Sequence, residues 1–173
     1  MIRTVRPDEY AALGELSARA YLGSGLLAFG EDDWYAAELR DVEKRARQAE
    51  VLVAEDPDGR VVGGVTYVPS HKHSYAEIAR PSEAEFRMLA VAVEARGKGV
   101  GEALVRAVID RARTAGKSAV VLCTQPLATA SHRLYERLGF TRIPDRDWSP
   151  IPEVLLRAYE LRLAAGAAEA SAG

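Results

Sequence analysis

The spacing of apolar residues along the chain predicts four helices. Apolar side chains that recur every three or four positions form one face of an amphipathic helix. The most regular stripe follows a glycine-rich turn, and a glycine after its last apolar residue ends it. An acidic cap at Asp32 or Asp33 precedes the second stripe. The four predicted helices cover residues 7–22, 33–49, 100–115 and 129–138.

Apolar runs bounded by turn residues predict strands between these helices. The turn at 57–59 predicts an antiparallel hairpin, whereas the strands on either side of the helix at 100–115 should pair in parallel through a right-handed crossover. The polar stretch at 69–83 is expected to form a loop over one end of the sheet. The fold class is therefore α+β (mixed α/β) with a mixed sheet. The predicted strands cover residues 2–6, 51–54, 61–68, 84–93, 119–124 and 154–163.

Composition narrows the classes of function. The 173 residues favour one domain, which we assign to residues 1–163, followed by a low-complexity Ala/Gly/Ser tail at 164–173. A net charge of -2 disfavours a nucleic-acid partner. The single cysteine, Cys123, excludes an intramolecular disulfide and is expected to be a buried structural thiol. With no signal segment and no apolar run long enough for a membrane, we expect a cytoplasmic protein, and a homodimer stays open.

The glycine-rich turn from Arg96 to Gly101 is the sharpest chemical feature of the sequence. Glycines let backbone N–H groups approach a ligand closely, and the N-terminus of the following helix favours an anion. Arg96 and Lys98 add full positive charges, so the turn predicts a pyrophosphate site. The spacing does not match a Walker loop, and the first glycine of a dinucleotide-binding fingerprint is missing.

Three segments together resemble the GNAT N-acetyltransferases, over most of the chain. They are the strand segment 86–91, the turn 96–101 and the segment 134–140, which reads Leu-Tyr-Glu-Arg-Leu-Gly-Phe. The resemblance implies a splayed sheet of six or seven strands flanked by about four helices, acetyl-CoA as co-substrate without a metal, and a small-molecule amine as the favoured acceptor.

The resemblance also implies how the chain holds the co-substrate. The backbone N–H groups of the turn cradle the pyrophosphate, the main chain of Leu89 and Val91 pairs with the pantetheine arm, and the Leu89 N–H faces the thioester oxygen. Ala128 stands where many members carry an Asn, so Thr129 or Ser131 is the substitute. The expected cofactor-binding residues are Leu89, Ala90, Val91, Arg96, Gly97, Lys98, Gly99, Val100, Gly101 and Ser131.

The resemblance also implies two catalytic residues and two residues of the acceptor pocket. Tyr135 lies beside the sulfur as general acid, and Glu85 occupies the place where some members carry a general base. Trp34 and Tyr35 lie in the region of the acceptor pocket. Elementary chemistry asks for such groups, because an alkyl ammonium with a pKa of about 10.4 must lose a proton before it can attack, and a departing thiolate needs a proton donor.

Each of these assignments has a structural alternative. Tyr135 also fits a core aromatic residue, and Glu85 also fits a solvated or arginine-paired carboxylate. The pair His71 and His73 has metal-like spacing, but no third ligand is near it in sequence. Two other functions stay open: a catalytically silent acyl-CoA-binding module, and an acetyltransferase that acts on a protein N-terminus or lysine. Retention of both Tyr135 and Glu85 favours the enzyme.

Overall fold

Five α-helices and eight strands follow one another along residues 1–164, the part of the chain that this computed structural model describes. The expected tail at 164–173 lies outside that part except for its first residue. The helices are α1 (Tyr10–Gly23), α2 (Trp34–Arg40), α3 (Val42–Gln48), α4 (Val100–Thr114) and α5 (Thr129–Arg137). The strands are β1 (Ile2–Thr4), β2 (Glu50–Glu55), β3 (Val61–Val68), β4 (Glu83–Val91), β5 (Ala119–Thr124), β6 (Thr141–Arg142), β7 (Trp148–Ile151) and β8 (Val154–Arg162).

One mixed sheet runs through the molecule in the order β1-β2-β3-β4-β5-β8-β6, and β7 pairs with β8 beside it. The predicted parallel pair is confirmed: β4 and β5 are parallel and α4 connects them, whereas the other pairs are antiparallel. The structure adds β6 and β7, which the apolar pattern does not indicate because they have only 2 and 4 residues.

The second predicted helix is two helices in the structure. Asp33 caps α2 by accepting a hydrogen bond from Tyr35 N at 2.8 Å, and Asp41 caps α3 by accepting one from Lys44 N at 3.2 Å. Asp41 has a ψ of 66°, which is outside the helical range and ends α2. The apolar stripe nevertheless continues through the break, since Leu39 and Val42 on either side of it are both buried.

Helices cover both faces of the sheet. The apolar stripe of α4, which includes Leu104 and Val108, packs with Phe86 and Leu122 on one face. On the other face Leu13 of α1 packs with Val51, and burying each such side chain stabilises the fold by about 1.5–3 kcal/mol. None of the helices within residues 1–164 is both long and apolar enough to span a membrane.

The two parallel strands diverge halfway along their length. β4 pairs with β5 only from Glu83 to Glu85, although β4 continues to Val91 and β5 to Thr124. Beyond the divergence, Met88 has a φ of 58°, and the register against β3 slips there. This β-bulge interrupts the regular alternation of side chains along β4. The divergence leaves one backbone edge of β4 facing an open cleft.

Candidate active site

Two adjoining cavities open where β4 and β5 diverge. The turn cavity, of about 330 Å³, lies over the N-terminus of α4 and includes Arg96, Gly97 and Gly99 on its wall. The inner cavity, of about 120 Å³, lies deeper and includes Glu77 and Tyr135. Residues common to both walls are Tyr21, Leu26, Leu89 and Ser131. A ligand held in the turn cavity can therefore reach the inner cavity past Leu89.

The glycine turn has the shape of an anion cradle. Gly97 and Gly99 have φ angles of 75° and 80°, and a Cβ atom built on either would meet no protein atom within 4 Å. The Ala103 N–H donates to the Gly99 carbonyl at 3.0 Å, so the amides just before Ala103 are left for another acceptor. Because these amides lie at the start of a 15-residue helix, their partial positive charge favours an anionic ligand.

Nine of the ten expected cofactor-binding residues line the turn cavity. The exception is Lys98, whose side chain is exposed and lies outside the cavity wall. Gly97 and Gly99 on either side of it have positive φ angles, and the role expected of the Lys98 backbone N–H stays a prediction. The residues on the wall are Leu89, Ala90, Val91, Arg96, Gly97, Gly99, Val100, Gly101 and Ser131.

Tyr135 belongs both to the core and to the inner cavity. Its side chain is 4% exposed and packs edge-on against Phe86, with ring centroids 5.7 Å apart. Burial raises the pKa of Tyr135 well above its ordinary value, although the hydroxyl of Ser131 opposes the shift by hydrogen bonding. The phenol therefore stays protonated at neutral pH and is able to donate a hydrogen bond. The core and catalytic interpretations of Tyr135 are compatible.

Glu85 does not stand on the wall of either cavity. Its side chain is fully buried, and its two carboxylate oxygens accept hydrogen bonds from the backbone N–H groups of Glu77, Ile78 and Ala79 at 2.8–3.1 Å. Burial raises the pKa of Glu85 to about 7, while these N–H donors act in the opposite direction. The alternative of a solvated carboxylate is therefore wrong, because the loop before β4 covers Glu85, and its role as a general base stays a prediction.

Two carboxylates line the inner cavity, those of Asp33 and Glu77. Both oxygens of Asp33 accept backbone hydrogen bonds, whereas Glu77 is a residue that the sequence does not predict as part of a site. Glu77 Oε1 lies 2.8 Å from Arg87 Nε, and the two side chains are 16% and 15% exposed. Burial raises the pKa of Glu77, an effect that the nearby Arg87 opposes. Arg87 Nη1 also donates to the Tyr75 carbonyl at 3.1 Å. The only signal in the sequence is an acidic residue in a long polar loop, which is too common to identify a site.

Trp34 and Tyr35 both line the inner cavity, and their contact with an acceptor stays a prediction. Their rings meet edge to face with centroids 5.5 Å apart, and Tyr21 lies 5.9 Å from Tyr35. Asp33 fixes the start of their helix, since its second carboxylate oxygen also accepts a hydrogen bond from Phe29 N at 3.1 Å. These aromatic rings form a wall that adjoins the ion pair of Glu77 and Arg87, since Arg87 Nη2 donates to the Tyr35 hydroxyl at 3.5 Å.

The remaining wall comes from β5 and the β7–β8 hairpin. Ile151 and Leu156 of the hairpin close one side of the inner cavity. Cys123 lies on this wall and is half-buried rather than fully buried, and burial raises the pKa of its thiol to about 12. Within residues 1–164 no cluster of three or more His, Cys, Asp or Glu side chains has the arrangement of a metal site. That no metal takes part stays a prediction.

Two longer proteins are similar in sequence to this chain over part of their length. Mycothiol acetyltransferase from Thermobispora bispora is 41% identical over 148 residues, which are 82% of this chain and 46% of that protein. N-acetylaspartate synthetase from Homo sapiens is 36% identical over 103 residues, which are 60% of this chain and 32% of that protein. The chain thus spans less than half of the length of both relatives.

Solved structures share the fold over nearly the whole chain. An acetyltransferase of the GNAT family from Staphylococcus aureus Mu50 superposes with a TM-score of 0.72 at 16% identity, over 95% of this chain and 99% of that chain. The yncA protein of Salmonella typhimurium, solved with its cofactor acetyl-CoA, superposes with a TM-score of 0.65 at 24% identity, over 96% of this chain and 95% of that chain. These likenesses confirm the expected fold class. The pattern of the Acetyltransferase (GNAT) family matches residues 12–140, and the chain belongs to that family.

Proposed function

We propose that this protein transfers the acetyl group of acetyl-CoA to the primary amine of a small acceptor. The observation that carries the proposal is the junction of the two cavities. The turn cavity has the anion cradle, the inner cavity has Tyr135 and a carboxylate, and Leu89 and Ser131 stand on both walls. A cofactor in the first cavity and an acceptor in the second would meet at this junction.

The residues of the turn cavity fit coenzyme A. Amides and Arg96 at the N-terminus of α4 would hold the pyrophosphate, because a helix N-terminus and a guanidinium both favour phosphate oxygens. The free edge of β4 would pair with the amide groups of the pantetheine arm as an added strand does. When it is bound, acetyl-CoA supplies an acetyl group activated as a thioester.

Residues at the junction provide what acyl transfer needs. The reaction forms one C–N bond and breaks one C–S bond, and a proton from the amine ends on the sulfur. The Tyr135 hydroxyl donates a hydrogen bond to the departing sulfur, whose thiol has an ordinary pKa of about 8.5. The Leu89 N–H, which follows the bulge, would donate a hydrogen bond to the carbonyl oxygen, where negative charge develops.

The inner cavity favours a small acceptor. It encloses about 120 Å³ between the aromatic wall and the ion pair of Glu77 and Arg87, which is little room for a folded chain segment. Two of the relatives carry the names of small molecules, N-acetylaspartate and mycothiol. An acceptor of this kind agrees with both observations.

A panel of amines tests the proposal. Free thiol released from acetyl-CoA would be measured at several pH values with L-aspartate, ethanolamine, tyramine, spermidine, glucosamine and a short peptide with a free N-terminus. We expect one of the small amines to give the highest rate. Acetylation of the peptide alone would contradict the small acceptor, and binding of acetyl-CoA without release by any amine would favour the silent binding module.

A further inference from the structure

The structure separates two acidic residues that could serve acyl transfer. Resting on the proposed function, we propose that Glu77 contacts the acceptor's amine and takes its proton, and that Glu85 is a positioning residue that holds Glu77 in place. The proton acceptor is then Glu77, in the loop that precedes β4, and not Glu85, in the sheet.

The two carboxylates lie in different places relative to the cavities. Glu77 lines the inner cavity, as Tyr135 and Leu89 also do, so an acceptor held there lies in a cavity that all three residues border. Glu85 is fully buried and lines neither cavity. A proton acceptor must lie within hydrogen-bond reach of the amine or of one water beside it. Only Glu77 of this pair meets that condition in the described structure.

The two carboxylates also differ in their ion pairs and hydrogen bonds. Glu77 pairs through Oε1 with Arg87 Nε at 2.8 Å, and its side chain lines the inner cavity, where an ammonium would approach the carboxylate. The transfer is balanced: the ammonium gives one proton to the carboxylate, and the nitrogen keeps the electron pair with which it attacks. Burial raises the pKa of Glu77, which makes it a better proton acceptor than a solvated carboxylate. Glu85, by contrast, already accepts four hydrogen bonds.

The loop at residues 77–79 covers Glu85 and is held by it. Its carboxylate gathers the N–H groups of three successive residues, 77–79, and thereby fixes the backbone that carries the Glu77 side chain. Arg146 completes this support, since its guanidinium donates to the Ile78 carbonyl and to Glu83 Oε1, the latter at 2.7 Å. A carboxylate with only N–H donors around it can hold a loop without entering the chemistry.

Three Glu→Gln variants test the assignment. Glu77→Gln and Glu85→Gln remove one charge each, and Glu43→Gln is the control because Glu43 is exposed on α3, outside both cavities. The value of kcat/KM would be followed against pH with the panel amine that the wild type acetylates fastest. We expect Glu77→Gln to lose about 10²–10⁴-fold near pH 7 and to recover as the pH nears the amine's own pKa, about 10 for an alkyl amine. Affinity for CoA should not change in that variant.

Hydrogen exchange separates positioning from proton transfer without any acceptor. The amides of residues 77–79 should exchange faster in Glu85→Gln, because a glutamine side chain cannot accept all four hydrogen bonds. They should stay protected in Glu77→Gln. Unchanged exchange in Glu85→Gln would overturn the positioning role.

The rate profiles separate this inference from the proposed function. A wild type that acetylates no amine of the panel overturns the proposed function and the inference with it. An active wild type with an unchanged Glu77→Gln profile overturns the inference alone. A uniformly lower Glu77→Gln profile of the same shape overturns proton transfer by Glu77, and recovery at high pH in Glu85→Gln alone would return that step to Glu85.

Discussion

Replacing Gly99 by valine should abolish tight binding of coenzyme A while the fold persists. Gly99 has a φ of 80°, a backbone conformation that a side chain makes unfavourable by about 1–2 kcal/mol. The surroundings impose no further penalty, since a Cβ atom there would meet nothing within 4 Å. That open space is where the pyrophosphate is proposed to lie. The valine would therefore occupy the ligand's place and also change the direction of the neighbouring amides.

The chain contains a matched control at Gly59, in the turn between β2 and β3. Gly59 also has a φ of 80°, and a Cβ atom there would also meet nothing within 4 Å. Both valine variants should lose the same stability, which for a chain of this size lowers Tm by about 2–8 °C. Any difference in ligand affinity between them then belongs to the turn cavity and not to backbone strain.

Calorimetric titration of CoA into the two folded variants measures that difference. A hydrogen bond to a charged group contributes about 1.5–3 kcal/mol, so the loss of even one amide contact weakens binding about 10- to 150-fold. The Gly59→Val protein should bind as the wild type does. Equal CoA affinity in folded Gly99→Val and in Gly59→Val would refute the assignment of the glycine turn as the pyrophosphate site.

Three further predictions follow from single contacts. Tyr135→Phe should keep CoA affinity but lower kcat about 10²–10⁴-fold, and steady-state kinetics with a wild-type kcat would remove its hydroxyl from the mechanism. Burial raises the pKa of Glu85 from 4.5 to about 7, so the folded state binds this proton more tightly than the unfolded state does. The free energy of unfolding in urea should therefore fall by up to about 3 kcal/mol between pH 4.5 and 7, and Glu85→Gln should lose this slope; equal slopes in both proteins would contradict the raised pKa. Asp41→Ala should lower the same free energy by about 1 kcal/mol, because it removes the cap of α3, and an unchanged unfolding midpoint would show that the cap contributes nothing.

The sequence is informative where a local pattern determines the structure. The apolar stripe of α4 and the glycine turn before it predict a helix, its start and an anion site, because these depend on backbone geometry within a few residues. The parallel pairing of β4 and β5 follows from the same segment, since a connection through a helix of this length returns the chain in the same direction. Family resemblance then names nine residues that line the turn cavity, and their contacts with a cofactor stay predictions.

The sequence does not predict the contacts between segments that lie far apart along the chain. Glu85 and Phe86 are neighbours in a strand, so the alternation of side chains predicts that one of them faces away from the core, yet both are buried. The loop at 77–79 covers the face on which Glu85 lies, and no periodicity in the strand reveals that cover. Arg146 binds this loop across 68 residues of chain. Glu77 therefore reaches the site through tertiary contacts that its neighbours in sequence do not indicate.

The bulge at Met88 explains why the two carboxylates have different places. In a regular strand Glu85, Arg87 and Leu89 would lie on one face, and Glu85 would point along the path of the acceptor. Met88 instead packs in the cluster of Tyr75, whose carbonyl accepts from Arg87, while Leu89 packs against the cluster of Phe86 on the other face. The strand thus brings Leu89 to the junction of the cavities and leaves Glu85 beneath the loop. The loop that Glu85 holds instead carries another acidic group, Glu77, to the wall of the inner cavity beside this junction.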